Sequence, residues 1–338
     1  MGRTIYDCLT QPNTQLIVRT PTTLAYTQHD EWAPVETIQQ WEDFNFTSLN
    51  RRYKEHLVAE ADESLFSTVR AAEDAGHNVI HDEAALSLLH GSTNISIVSR
   101  SLPAPLFLAP GSRIIAIPHV RPDWGAGSAD LQYTSPIGVC HALVCGDTKL
   151  GWDVDRAIRL VDDGSYEEQP DSHIVRPFEQ IQHYCTVYQT RYGFILTDKC
   201  VVLIRVRLSP PTAKNRATRP QRHKVSEGHQ RVLSNTSTGT TISDVSDTFS
   251  VMSFRPKPQD EDVAVLEVLR VAWSHGSSEE TINLAVYHLI LLSAESRHLS
   301  HHYEELQIED QTKPEKRKRL EKTPEQSSKR GARMPPNF

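Results

Sequence analysis

The chain has 338 residues, of which 38% are hydrophobic and 23% charged, and a formal net charge of −7 at neutral pH. This length suits one large domain with irregular segments, or two small domains. No apolar run approaches the roughly 18 residues of a membrane-spanning helix, so the sequence excludes a membrane span. The odd cysteine count and the lack of Cys-x-x-Cys spacing indicate small buried hydrophobic residues in a reducing compartment, and they argue against zinc binding.

The first part of the chain predicts an arm, two helices and a strand. Residues 1–50 are polar and have no sustained hydrophobic period, so we expect a loosely ordered arm. Apolar residues recur every three or four positions over 53–75, which predicts a helix, and 81–90 should contain a second, shorter one. A Pro-rich connection at 102–106 then leads into an apolar run that predicts a strand over 113–119.

Two acidic motifs follow apolar runs in the middle of the chain. Pro122-Asp123 comes after the first run, and Asp147-Thr148-Lys149 ends the buried strand expected from Val139 to Cys145. Between the motifs, 125–136 predicts a loop with a Gly-rich turn at its start. Because successive strand side chains point to opposite faces, Asp147 and Lys149 should share one face and Thr148 should lie on the other.

The chemistry of these motifs depends on whether they meet. Two carboxylates at one end of a sheet suit a hard divalent cation such as Mg²⁺, and a nearby ammonium can orient a water or offset developing phosphate charge. Taken singly, each motif is equally typical of an ordinary turn or a surface ion pair.

The second part of the chain alternates regular elements with low-complexity segments. The stretch at 160–173 is acidic and is expected to be irregular. A helix is predicted after it, because apolar residues recur there at alternating steps of four and three. These apolar residues are Ile174, Phe178, Ile181, Cys185 and Tyr188. Gln180 and Tyr184 are four residues apart and should share a face of this helix.

Two tightly connected strands are expected at 194–197 and 201–206, both in the interior of a sheet. Residues 209–262 are dominated by Pro, Ser, Thr, Arg and Gly, which predicts a disordered insertion. The pattern then returns to a strand at 263–273 and a helix at 279–296.

The two acidic motifs and the Gln180–Tyr184 pair resemble the PD-(D/E)xK nuclease superfamily. Gln180-x-x-x-Tyr184 is similar to the helix element of its RecB-like branch, and the segments around both motifs are similar to a large group of nuclease-like fungal proteins. The resemblance covers roughly residues 55–300. It implies an α/β fold with a small mixed sheet flanked by helices, here carrying a disordered arm, insertion and tail. The domain would span 51–300, followed by a basic tail at 301–338.

The resemblance also implies roles for individual residues. Asp123 and Asp147 would hold Mg²⁺ or Mn²⁺ with the Thr148 carbonyl as a further ligand, and Lys149 would position the attacking water. Gln180 would lie near the metal-bound water or phosphate, and Tyr184 against the substrate backbone. In the fungal group, a Glu followed three residues later by an aromatic residue and six later by Val precedes the core. Glu63 fits this pattern and becomes the candidate supporting acid, although it is equally typical of a solvated helix face.

Positive charge is concentrated in two segments of this acidic chain. Residues 313–333 contain nine Lys and Arg against three Glu, and 210–231 contain six against one. These segments would supply the contacts to nucleic acid phosphates. The cluster Lys316–Arg319 also predicts a nuclear address, with a solubilising tail as the alternative.

Two functions are consistent with the sequence. The first is metal-dependent phosphodiester hydrolysis of nucleic acid, with DNA favoured. The second is a nuclease-fold protein without turnover that serves as a nuclear interaction or nucleic-acid-binding module. The acidic core, the uncertain Glu63 and the short Asp147, where Glu is commoner in the family, count towards the second hypothesis. The family tolerates Asp at this position, however, so the first remains the main hypothesis and the second the alternative.

Overall fold

The fold is described from a computed structural model that covers residues 2–19, 32–111, 120–129, 142–164, 166–210, 263–273, 280–304 and 306. The described residues as far as Leu306 belong to one compact unit. None of the helices within these ranges has the length and apolar character needed to cross a bilayer.

The described strands form one large sheet and one small pair. Their bounds are β1 Ile17–Val18, β2 Thr37–Gln40, β3 Val79–Ile80, β4 Leu106–Pro110, β5 Trp124–Ser128, β6 Val144–Lys149, β7 Tyr192–Thr197, β8 Cys200–Ser209 and β9 Val263–Ala272. The large sheet has the order β2-β9-β8-β7-β6-β5-β4, and β1 pairs with β3 separately. In the large sheet β2 is parallel to β9 and β6 to β7, while the other neighbours are antiparallel.

Helices flank the large sheet. The described α-helices are α1 Ile5–Leu9, α2 Phe46–Arg52, α3 Lys54–Leu57, α4 Thr68–Asp74, α5 Glu83–His90, α6 Ser96–Ser101, α7 Val154–Asp162, α8 Arg176–Tyr188 and α9 Ile282–Glu295. A π-helical turn, Gly91–Ile95, joins α5 to α6, and short 3-10 helices cover Glu63–Ser67, Tyr166–Glu168 and Ser172–Val175.

The alternation of strand side chains divides the apolar core into two layers. Phe194 and Leu196 of β7 belong to a cluster with α9, whereas Ile195 between them belongs to a cluster with α7 and α8. All three side chains are fully buried. Central strands covered on both faces are expected to be apolar throughout, as β7 is.

The elements with the strongest periodicity are confirmed. Helix α8, strands β7 and β8 and strand β9 lie where the sequence predicts them, and β7 and β8 are interior strands. Helix α9 is also confirmed, although its N-cap is Thr281, whose hydroxyl accepts a hydrogen bond from Leu284 N at 3.2 Å. The described cysteines, Cys8, Cys145, Cys185 and Cys200, are free and buried, as predicted.

The predictions for the N-terminal part need correction. The described part of residues 1–50 packs on the core, because Leu9, Trp41 and Leu49 are buried, so it is not a loosely ordered arm. The helix predicted over 53–75 is three short pieces, since a non-helical stretch separates α3 from the 3-10 helix that precedes α4. The apolar residues do recur at helical spacing, but this spacing continues across the break in the helix and therefore does not reveal it.

Two further predictions around the motifs change, and a third is not tested. The predicted strand at 113–119 lies outside the described residues, and the last described strand before Asp123 is β4. The Gly-rich start of the predicted 125–136 loop is the fully buried strand β5. Tertiary packing explains this, because a Cβ at Gly127 would meet the Phe107 ring at 2.9 Å. The irregular stretch predicted at 160–173 begins within α7 and contains two 3-10 helices.

Candidate active site

Strands β5 and β6 bring the two predicted carboxylates to the same end of the sheet. Trp124 of β5 pairs with Gly146 of β6 in antiparallel register, so Asp123 comes beside Asp147. The Asp123 carboxylate accepts a hydrogen bond from the Thr148 backbone N–H at 3.0 Å. The first acid is thereby fixed to the strand that carries the second one.

Lys149 lies on the same face as Asp147, as its spacing predicts. Its Nζ is 2.6 Å from Asp147 Oδ2, and both side chains are largely buried. Thr148 faces the other way, where its hydroxyl accepts a hydrogen bond from Trp124 Nε1 at 2.9 Å. The Thr148 side chain is therefore turned away from Asp147 and Lys149, so the oxygen ligand that the resemblance implies would be its backbone carbonyl.

A third carboxylate reaches this group from helix α5. Glu83 is the first residue of α5, and its Oε1 lies 3.6 Å from Lys149 Nζ. The helix starts here because Asp82 caps it, accepting a hydrogen bond from Ala85 N at 2.8 Å. The sequence predicts this helix but does not distinguish Glu83 from other acidic residues, because only tertiary packing decides which neighbour the first turn meets.

Glu63 is placed elsewhere. It is an exposed residue at the start of a 3-10 helix. Within the described chain, the ion pairs of Lys149 are with Asp147 and Glu83 and do not involve Glu63. The geometry therefore favours Glu83 over Glu63 as the supporting acid.

Burial makes Asp147 an unusual carboxylate. Loss of solvent raises its pKa to about 7, Lys149 opposes this rise, and the negative charge of Asp123 adds to it. Burial also acts on Lys149 by disfavouring its charged form, but the neighbouring Asp147 and Glu83 outweigh that effect and raise the pKa of its ammonium. The Lys149 ammonium is thus shared by several carboxylates, and the net charge of the site remains negative.

Gln180 and Tyr184 of α8 lie next to the carboxylates. Gln180 Nε2 donates to the Tyr184 hydroxyl at 2.7 Å, and that hydroxyl donates to the Arg121 carbonyl at 3.2 Å. Burial raises the pKa of Tyr184, and the charge of Asp147 raises it further. The predicted shared face of Gln180 and Tyr184 is confirmed, and it is directed towards the segment that carries Asp123.

The backbone before Asp123 is held from two sides. Tyr188 donates its hydroxyl to the Val120 carbonyl at 2.7 Å, one turn along α8 from the Tyr184 contact. On the other side Gly111 N donates to the Asp123 carbonyl at 2.7 Å. A Cβ at Gly111 would lie 1.9 Å from the Pro122 carbonyl oxygen, so this close approach requires glycine.

The donor set fits a hard divalent cation. No group of three or more His, Cys, Asp or Glu side chains suited to a metal occurs among the residues with described positions. Mg²⁺, however, is commonly bound through only one or two carboxylates, with waters or substrate oxygens as its other ligands. Asp123, Asp147 and the Thr148 carbonyl offer such oxygens, and a second positive charge would relieve the unfavourable burial of the Asp147 carboxylate.

The arrangement as a whole combines an acidic oxygen cluster, a buried ammonium and a tyrosine–glutamine pair. Such a group can bind a cation, hold a water and contact an anionic substrate. Comparisons with protein-family models, with curated proteins and with solved structures gave no match.

Proposed function

We propose that this protein is a metal-dependent phosphodiesterase that hydrolyses nucleic acid, with DNA as the favoured substrate. The observation that carries the proposal is the meeting of Asp123, Asp147 and Lys149 at one end of the sheet. Separately these residues are ordinary strand ends, but together they form an acid–acid–lysine group that suits metal-dependent phosphodiester hydrolysis.

The order of elements supports a PD-(D/E)xK-type core. A helical segment, α5–α6, precedes the antiparallel strands β4, β5 and β6, and α8 then leads to β7, which is parallel to β6. This succession of helix, strands, helix and strands is the one that the resemblance in the motifs implies. The motifs also occupy corresponding positions, at the start of β5 and the end of β6.

Each residue of the site has a distinct part in the proposed reaction. A divalent cation bound by Asp123, Asp147 and the Thr148 carbonyl would acidify a water and stabilise charge on the phosphate. Lys149 donates hydrogen bonds that orient the attacking water, and Glu83 keeps its ammonium in place. Gln180 and Tyr184 line the substrate side, where the amide and the hydroxyl can contact phosphate oxygens.

Basic segments would compensate for the acidic site. We propose that 210–231 and 313–333, which lie almost entirely outside the described residues, attract nucleic acid through their Lys and Arg side chains. The cluster Lys316–Arg319 would also direct the protein to the nucleus, and a fluorescent reporter fused to 313–333 would test this address.

The direct test is a cleavage assay with Mg²⁺ or Mn²⁺ on linear, nicked and single-stranded DNA. Wild type should cleave at least one substrate, and Lys149→Ala should reduce the rate by about a hundredfold or more because the water loses its orienting donor. A matched control is Lys54→Ala, which removes an exposed lysine at the start of α3. No cleavage by wild type would favour the non-catalytic alternative, and equal cleavage by wild type and Lys149→Ala would show that the proposed site does not carry the activity.

Metal binding should depend on pH. Because the pKa of Asp147 is raised to about 7, its carboxylate must lose a proton before it can bind a cation. The apparent Mg²⁺ affinity should therefore rise about tenfold between roughly pH 6 and pH 8, following the ionised fraction of one group. Isothermal titration calorimetry at several pH values measures this without reference to activity, and an affinity that is independent of pH would contradict it.

A further inference from the structure

An exposed arginine lies close in sequence to the acidic site. Arg121 is an exposed residue two positions before Asp123. Several described arginines form ion pairs, as Arg100 does with Asp62 and Arg270 with Asp155. No carboxylate among the described residues forms an ion pair with the Arg121 guanidinium. Within the described part of the chain, its positive charge is therefore not compensated by a carboxylate.

The position of Arg121 is fixed through its backbone. Its carbonyl accepts a hydrogen bond from the Tyr184 hydroxyl, and the preceding carbonyl, that of Val120, accepts one from Tyr188. Burial raises the pKa of Tyr188, and the nearby positive charge of Arg121 partly offsets that rise. A long side chain on an anchored backbone loses less entropy on binding than one on a loose loop.

The electrostatics indicate which ligand Arg121 would meet. Asp123, Asp147 and Glu83 repel a polyanion, and Lys149 is already engaged by two carboxylates. A cation between the two aspartates would bind one phosphate only. An exposed guanidinium two residues before Asp123 can donate two parallel hydrogen bonds to a different phosphate.

We propose that Arg121 binds the backbone phosphate that neighbours the one held between Asp123 and Asp147. This inference rests on the proposed function and specifies its substrate as a chain with consecutive phosphodiesters. The residue would act in substrate binding and specificity, and a lone phosphodiester would not benefit from it.

The test compares Arg121→Gln with Arg121→Lys and with the control Arg70→Gln, whose native charge is compensated by Asp74. The first probe is a fluorescein-labelled single-stranded DNA of 12 nucleotides, followed by anisotropy in EDTA so that no cleavage occurs. Arg121→Gln should weaken binding about tenfold and reduce the slope of log affinity against log salt by about one, while Arg121→Lys should retain part of the affinity.

Methylphosphonate linkages placed one at a time locate the contact. One position should weaken binding by wild type and have no further effect on Arg121→Gln, because the neutral linkage and the neutral side chain remove the same interaction. In cleavage assays, Arg121→Gln should raise KM for the oligonucleotide with little change in kcat. Its loss of kcat/KM on the oligonucleotide should exceed that on bis(p-nitrophenyl) phosphate, which has a single phosphodiester, by about tenfold.

The outcomes separate this inference from the proposed function. If wild type cleaves DNA but Arg121→Gln binds and cleaves like Arg70→Gln, the inference is wrong and the function stands. Equal losses on the oligonucleotide and on the small diester would also overturn it. If no substrate is cleaved but one linkage still couples to Arg121 in EDTA, the hydrolytic function is wrong and the phosphate contact stands.

Discussion

Asp147→Asn is expected to lower the rate of metal-dependent DNA cleavage by about a thousandfold or more while leaving the protein folded. Asn is nearly the same size but carries no charge, so the pair of carboxylates that would hold the cation is lost. The change should also abolish binding of Mg²⁺ in calorimetry. Asp162→Asn is a suitable control, because Asp162 is an exposed carboxylate at the end of α7.

The stability of the Asn variant gives an independent check. Because the folded pKa of Asp147 lies above its ordinary 3.8, at about 7, the folded state holds this proton more tightly than the unfolded state does. Its contribution to stability is therefore present at low pH and is lost as the pH rises from 3.8 to about 7. Asp147→Asn should flatten this part of the pH profile in thermal denaturation without metal. An unchanged slope, or full cleavage by the variant, would show that Asp147 is not the buried acid described here.

Gly146→Ala is expected to destabilise the fold by about 3 kcal/mol, measured as the free energy of unfolding in urea. Gly146 precedes Asp147 on β6 and pairs with Phe194 of the parallel strand β7. A Cβ at this position would lie 2.2 Å from a ring atom of Phe194, which is fully buried and cannot move into solvent. Either the ring or the strand must shift, and both are in the core.

The clash can be separated from an effect on the backbone. Gly164→Ala is the matched control, because its Cβ would meet nothing within 4 Å and only its positive φ of 71° adds strain. Phe194→Ala alone should cost about 3–5 kcal/mol through the cavity it leaves. The double variant should lose much less free energy of unfolding than the two single variants lose together, since removing the Phe194 ring also removes its clash with the new Cβ at position 146. Additive costs would mean that the ring is not what excludes a side chain at 146.

Sequence-based prediction succeeded where the signal lies within one element and failed where it depends on residues distant in sequence. Helix α8 was predicted because its apolar residues repeat with the helical period, and β7 and β8 because continuous β-branched and aromatic runs suit interior strands. Strand β5 was mistaken for a turn because its glycines are turn formers in isolation. Only the adjacent Phe107 ring explains why small residues are needed there.

The candidate site shows the same division. The alternation of strand side chains was enough to place Asp147 and Lys149 on one face, and the helical period was enough to place Gln180 beside Tyr184. The choice between Glu63 and Glu83 could not be made in this way. It depends on how α5 packs against the end of β6, which is a contact between residues distant in sequence.

The amino-acid sequence by itself determined the local periods, the acidic and basic segments, and the order of the acid and lysine motifs. Strand pairing decided that Asp123 lies beside Asp147, and helix packing decided that Glu83 reaches Lys149. The physical reason is that side-chain direction within an element follows from backbone geometry alone, whereas proximity between elements follows from burying their apolar faces together. The raised pKa of Asp147 belongs to the second class, because its main cause is burial, which exists only in the folded protein.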